Sequence, residues 1–206
     1  MLDLTAILSW EPLHSLHFWR AFASIILAPL MWNVVSRFEY KTRILSKLFL
    51  NKKVACYIFA VYVFFFSLYR NVLFKQAVFV NTVYHNIIPE RFALLHTALV
   101  YLLYAVGFVL VGGSSLRLKV IGTYCGDYFD IFIFKEPVRS FPFNICPNPM
   151  YVGSTILFLA FALAERSLVG LVLTILVAIC YYIALLFEAP FTAEIYKQRA
   201  ETLKLQ

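Results

Sequence analysis

The sequence predicts an all-α integral membrane protein of four to five helices, and three observations carry that reading. Of the 206 residues, 62% are hydrophobic and only 14% charged, which is more apolar surface than a soluble domain of this size can bury. The apolar residues gather into five runs, 21–35, 54–69, 93–116, 153–164 and 168–187. The last two runs are separated only by Glu165, Arg166 and Ser167, a break short enough to require a helical hairpin. Glycine and proline are sparse and no repeat or low-complexity tract interrupts the pattern, so one membrane-embedded domain over residues 1–206 is expected.

The runs are not equal. Residues 1–20 carry acidic side chains where a secretory signal would be basic, and the chain is expected to insert through its own helices. Run 21–35 falls short of the roughly 20 residues that cross a hydrocarbon core. It also contains Pro29, with Trp19 and Trp32 near its ends, so an in-plane or re-entrant helix is the expectation, with the tryptophans at the interface. Run 54–69 is bounded by Arg70, and Arg70 and Lys75 read as polar flank. Runs 93–116 and 168–187 are long enough to span, while 153–164 is marginal. If all five cross, thirteen Lys and Arg fall on one face, six in 36–53, four in 117–152 and three after Phe187, against five on the other. The bias places the long loop and the tail in the cytosol. A four-helix arrangement, in which 153–164 does not cross, separates that loop from the tail by the membrane.

The formal charge of +7 lies in short clusters between apolar runs, a distribution that suits anionic lipid head groups rather than nucleic acid. Cys56, Cys125, Cys146 and Cys180 form no CxxC pair and read as reduced, structural residues. His14, His17, His85 and His96 are scattered, so no metal site is expected. Ser114, Ser115 and Ser154 have no GxSxG setting, and neither a GxGxxG fingerprint nor a Walker loop occurs. What remains is chemistry that depends on positioning.

Two polar, aromatic segments stand beside the membrane runs, 121–155 and 187–199. Glu188 follows the last apolar run directly, and Glu194 comes six residues later. A carboxylate at a membrane face is hydrated, paired or functional, and physics alone reads Glu188 as an interfacial helix exit and Glu194 as part of a solvated tail. Gly107, Gly112 and Gly113 read as close helix packing, and Gly122 and Gly126 as tight turns.

At these segments the chain resembles the phospholipid N-methyltransferases, on GTYCGDYF at 122–129, FPFN at 141–144, NPMYVGST at 148–155 and ALLFEAPFTAEIY at 184–196. The Asn-Pro-Met-Tyr-x-Gly stretch followed by a hairpin and an acidic exit is also distantly similar to the isoprenylcysteine carboxyl methyltransferases. Both resemblances imply S-adenosylmethionine as methyl donor, held at the cytosolic ends of membrane helices in a site that is not a Rossmann fold. The acceptor implied is the amine of phosphatidylethanolamine or of its mono- and dimethyl forms, leading to phosphatidylcholine. The resemblance further implies the endoplasmic reticulum, with a mitochondrial or contact-site membrane as the alternative; a homo-oligomer is compatible with it. The family pattern of Gly-x-Gly in the third long helix reads Ala105-Val106-Gly107 here, and its paired glutamates read Glu188-Ala189.

Carried onto this sequence, the resemblance assigns Glu188 to the donor, with Gly107, Asn148, Tyr151 and Gly153 shaping the same pocket. Asp127 is the candidate for the head-group amine and Glu194 its rival. Tyr124, Tyr128, Phe141 and Phe143 offer ring faces to a sulfonium or a methylated ammonium, or else form an interfacial belt. Arg117, Lys119 and Arg139 are candidates for the lipid phosphate. Two other readings stay open, a methyltransferase for a different lipophilic acceptor such as a prenylated protein, and a non-catalytic membrane scaffold or small transporter.

Overall fold

The computed structural model describes residues 11–80, 90–134 and 137–205. The amino-terminal segment 1–10 and His85, on which readings above depend, lie outside the described residues. Six α-helices follow in order: α1 Leu16–Thr42, α2 Ile44–Leu48, α3 Lys52–Val80, α4 Ala93–Thr123, α5 Pro149–Ala164 and α6 Leu168–Lys204. Among the described residues there is no strand, and four helices are long and apolar enough to cross a membrane. These are α1, α3, α6 and α4, the last together with the turn that follows it. The all-α membrane reading holds.

Helix α1 differs from its expectation. It runs for 27 residues straight through Pro29, about 40 Å at 1.5 Å per residue, and so has the length to cross the membrane. Pro29 costs α1 one backbone bond, the one its missing N–H would give the Ile25 carbonyl, and the helix continues through it; separately, the Asn33 side-chain amide donates to the Pro29 carbonyl at 3.1 Å. Helix α3 also outruns its apolar segment, continuing past Arg70 and Lys75 to Val80. Arg70 is therefore not a loop residue, and it is only 5% exposed. Counting hydropathy stops at a charge, whereas the helix continues by turning that charge inward. With Arg70 and Lys75 removed, the opposite face keeps three of its five cations.

Helices α5 and α6 form the expected hairpin. Ser167 caps α6 by accepting the Gly170 N–H at 3.1 Å, and the Ala162 carbonyl accepts the Ser167 N–H at 2.9 Å. A Cβ on Gly170 would lie 2.7 Å from that of Ala162, so glycine is what lets the two helices meet at the turn. The tail after Phe187 is not a separate amphipathic piece, because α6 continues through Pro190 to Lys204.

One end of the bundle collects the α1–α3 connection, the long loop and the far part of α6. The Arg199 guanidinium donates to the Phe134 carbonyl at 3.2 Å, Arg43 donates to the Tyr128 carbonyl at 3.0 Å, and Lys52 pairs with Asp130 at 2.8 Å. These contacts join the α1–α3 connection, the long loop and the end of α6, while α5, at 16 residues, is shorter than the four helices long enough to span. Glu39, fully buried, ties the same end together: its carboxylate accepts the Leu45 N–H at 2.7 Å and the Ser46 N–H at 3.2 Å, capping α2.

Candidate active site

The site grows from the start of the hairpin. Asn148 is the N-cap residue of α5 and Pro149 opens the helix, but the Asn148 side chain makes no cap bond and instead lines a cavity. One residue past the first turn position, Tyr151 donates its hydroxyl to Glu188 Oε2 on α6. The Tyr151 ring meets Tyr181 edge-on at 4.9 Å, and Trp32 of α1 packs on both at 6.2 Å. Trp32 is thus an interior residue of the site rather than an interfacial anchor, whereas Trp19 is 47% exposed. Pro190 cannot donate back along α6 and opens the helix on one side. There the Arg37 side chain donates to the Phe187 carbonyl at 2.5 Å while lying 4.5 Å over the Phe191 ring.

A cavity of about 460 Å³ extends from Glu188 into the bundle, walled by Trp32, Phe59, Tyr124, Asn148, Tyr151 and Tyr181 among others. A second, of about 290 Å³, adjoins it on the loop side and shares Gly122, Cys125, Phe143, Asn148 and Glu188 with it. Asp127 lines this second cavity together with Tyr128, Thr192 and Tyr196. The turn that carries Asp127 is held in place by Gly126, where a Cβ would stand 2.2 Å from the Ile121 side chain and 2.7 Å from its carbonyl. Close approach, not a positive φ, is what requires glycine there. Cys125 and Asp130 on either side do take φ of 57° and 58°, and Lys119 breaks α4 with φ 57° and ψ −179°. Of the six non-glycine residues with positive φ among those described, five lie at this end of the molecule.

The candidates divide by location. Glu188, Asn148, Tyr151 and Tyr124 line the larger cavity, and Asp127 and Tyr128 the smaller. Tyr128 is buried, its hydroxyl 3.2 Å from Thr192 Oγ1. Phe143 faces both cavities, while Phe141 packs on Gly113 of α4. Gly107 and Gly153 line neither; they face one another where α4 crosses α5, with a Gly153 Cβ calculated at 2.8 Å from Leu110 Cβ and 3.0 Å from the Gly107 carbonyl. Their place is helix packing that brings the Asn148–Tyr151 segment to α4. Glu194 sits on the exposed side of α6, accepting from Gln198 at 2.9 Å. Arg117, Lys119 and Arg139 are exposed and line neither cavity.

Sequence reasoning missed Trp32, Arg37, Arg70 and Tyr181. The aromatics of a site and of a lipid-facing belt are alike in composition, and only packing separates them. Arg70 did carry a signal, as a lone cation followed by eleven residues that contain a single further charge.

The segments that carry the carboxylate, the tyrosine and the asparagine lie in a stretch of sequence shared with known proteins. A model of the phospholipid methyltransferase family matches residues 95–199. Phosphatidylethanolamine N-methyltransferase of Homo sapiens is 43% identical over 180 residues, covering 87% of this chain and 88% of the relative. Phosphatidylethanolamine N-methyltransferase A of Dictyostelium discoideum is 40% identical over 184 residues, covering 89% and 84%. Phosphatidyl-N-methylethanolamine N-methyltransferase of Saccharomyces cerevisiae is 38% identical over 192 residues, covering 93% and 91%. No solved structure matches. By sequence similarity over most of its length, this chain belongs to the phospholipid methyltransferase family.

Proposed function

We propose that this protein transfers methyl groups from S-adenosylmethionine to the amine of phosphatidylethanolamine or of its mono- and dimethyl forms, toward phosphatidylcholine, in the endoplasmic reticulum membrane. The observation that carries the reading is the Tyr151–Glu188 contact at the mouth of an aromatic cavity that continues to Asp127.

The residues suit the donor. A cavity of about 460 Å³ falls in the range of small-molecule pockets, and Glu188 offers it a carboxylate oriented by Tyr151 and, among the described residues, held in no ion pair. Glu188 and Asn148 take the donor's hydroxyl or amino groups, and Trp32, Tyr124, Tyr151 and Tyr181 present rings that favour a cation by roughly 0.5–2 kcal/mol each. S-adenosylmethionine supplies an electrophilic methyl group bound to a positively charged sulfur.

The acceptor's nitrogen must reach that methyl as a neutral amine, although it rests in water as an ammonium. Asp127 accepts the ammonium proton and passes it to solvent at the loop face, which returns the carboxylate for the next cycle. Holding both partners in line accounts for most of the remaining acceleration. Helices α3 and α4 touch only sparsely, and the cavity reaches between Phe64 and Leu68 of one and Val111 and Leu118 of the other. A lipid already in the bilayer enters there without its acyl chains meeting water.

The test is to incubate the purified protein with labelled S-adenosylmethionine and each of the three head-group forms separately. Label on the lipid identifies which forms are acceptors. Donor binding with no label on any of them would remove the reading.

A further inference from the structure

We infer that Arg70 is the anchor for the phosphodiester of the acceptor lipid, holding it inside the membrane span of α3. The inference rests on the lipid-methylation reading above and adds to it the group that recognises the acceptor.

Arg70 lies 18 residues after Lys52 on α3, about 27 Å along the axis. It is 5% exposed and level with Tyr181 of α6, whose hydroxyl accepts from Nη1 at 2.7 Å. Tyr181 precedes Glu188 by seven residues, so Arg70 sits roughly 10 Å deeper than the carboxylate. A guanidinium at such depth is costly unless an anion or several acceptors compensate it. Its described partners are neutral: Tyr181, and the Asn71 side chain, which accepts from Nη2 at 3.3 Å. The rings of Phe158 and Tyr181, at 5.1 and 5.8 Å, offset part of the charge. Nε is buried and has no hydrogen-bond partner among the described residues. Among the described residues the ion pair present is Lys52–Asp130, at the other end of α3.

The space beside this uncompensated cation is built to hold something. Arg70 and Asn71 line the large cavity and also a further one of about 270 Å³, with Ser154 and Leu157 common to both. Beyond Arg70 the further cavity is lined mainly by rings, Phe74, Phe108, Phe158 and Phe161, together with Tyr104 and Lys75. An occupant that is anionic, carries its cation toward Glu188 and Asp127, and extends an apolar tail past Arg70 satisfies all three features at once. A phosphodiester fits the fork of an arginine, which bonds two oxygens together. The donor also bears a carboxylate, but nothing in it calls for the apolar exit. Arg117, Lys119 and Arg139 line none of these cavities.

The experiment compares two acceptors in nanodiscs, dioleoyl phosphatidylethanolamine and a dioleoylglycerol carrying the same aminoethyl group by an ether link in place of the phosphate. Wild-type protein is expected to favour the phospholipid in kcat/KM by roughly tenfold or more, the worth of one charge-assisted hydrogen bond or two. Arg70→Gln is expected to raise the half-saturating mole fraction of the phospholipid and bring the ratio of the two acceptors toward one, with the dissociation constant for S-adenosylmethionine within twofold. Arg70→Lys is expected to restore part of the ratio. Weakened donor binding with an unchanged lipid requirement would assign the anion to the donor's carboxylate and overturn the proposal. Equal losses with both acceptors would make Arg70 a structural residue. Should the variants fail to fold, a wild type indifferent to the phosphate overturns the proposal by itself. Direct lipid binding, read by native mass spectrometry with the two acceptors, separates the two levels of the argument. A phosphate preference that disappears in Arg70→Gln, with no methyl transferred to either lipid by wild type, keeps the anchor and removes the proposed reaction.

Discussion

Replacing Tyr151 by phenylalanine takes one hydroxyl from the junction of α5 and α6 and leaves the ring, with its contacts to Trp32 and Tyr181, in place. A hydrogen bond to a charged group contributes about 1.5–3 kcal/mol. Glu188 is only partly buried, so water replaces some of the lost bond, and the net effect falls to about 1–1.5 kcal/mol, five- to tenfold in an equilibrium constant. Equilibrium binding of labelled S-adenosylmethionine to Tyr151→Phe is therefore expected to weaken by about five- to tenfold. The decisive control is Glu188→Ala with and without Tyr151→Phe. If the hydroxyl acts by orienting Glu188, it has nothing left to orient once the carboxylate is gone, and the double variant binds no worse than Glu188→Ala. Independent, additive losses would refute the idea that the two act as a unit, and unchanged binding in Tyr151→Phe would remove the contact from the site.

Glu188→Ala alone should abolish methyl transfer while the protein still inserts and migrates as wild type on size-exclusion chromatography; full activity would dismiss the principal donor residue. Asp127→Asn should leave donor binding within twofold and lower turnover by about a hundredfold, at the low end of general-base effects, and a parallel loss of donor binding would break the separation of roles. Gly153→Ala places a methyl 2.8 Å from Leu110 Cβ and 3.0 Å from the Gly107 carbonyl. Overpacking of this kind costs about 1–3 kcal/mol, visible as a lower Tm. Gly112→Ala meets nothing within 4 Å and is expected to hold or raise Tm, helix propensity adding up to about 1 kcal/mol of stability.

The parts of the fold readable in the sequence were those set by local pattern. The three polar residues between two apolar runs dictate the hairpin, and the hairpin brings Tyr151 to Glu188. Helix lengths were read poorly because hydropathy ends a run at Pro29, Arg70 and Pro190, whereas the backbone continues wherever a neighbour satisfies the exception. Pro29 gives up a single backbone bond, Tyr181 serves Arg70, and Arg37 serves the Phe187 carbonyl one turn before Pro190. The glycines were understood in kind but not in detail. Gly107, Gly113 and Gly153 each meet a specific neighbour, while Gly112 meets none, and no spacing distinguishes them. Resemblance marked Asn148, Asp127 and Glu188, whose motifs are contiguous. It passed over Trp32 and Arg70, which reach the site from helices that lack such motifs.

The contacts between the long loop and the far part of α6 also set an order of assembly. Asp127 stands on a turn whose fixing partners, Thr192 to Tyr128 and Arg199 to the Phe134 carbonyl, lie 64 and 65 positions further along the chain. During synthesis the loop emerges long before the helix that seats it, and closing so distant a pair must wait for both hairpin helices. The membrane spans up to α4 therefore enter the bilayer before the site exists. Catalytic competence arrives as a late event, when the last turns of α6 leave the ribosome and dock against a loop already waiting beside them.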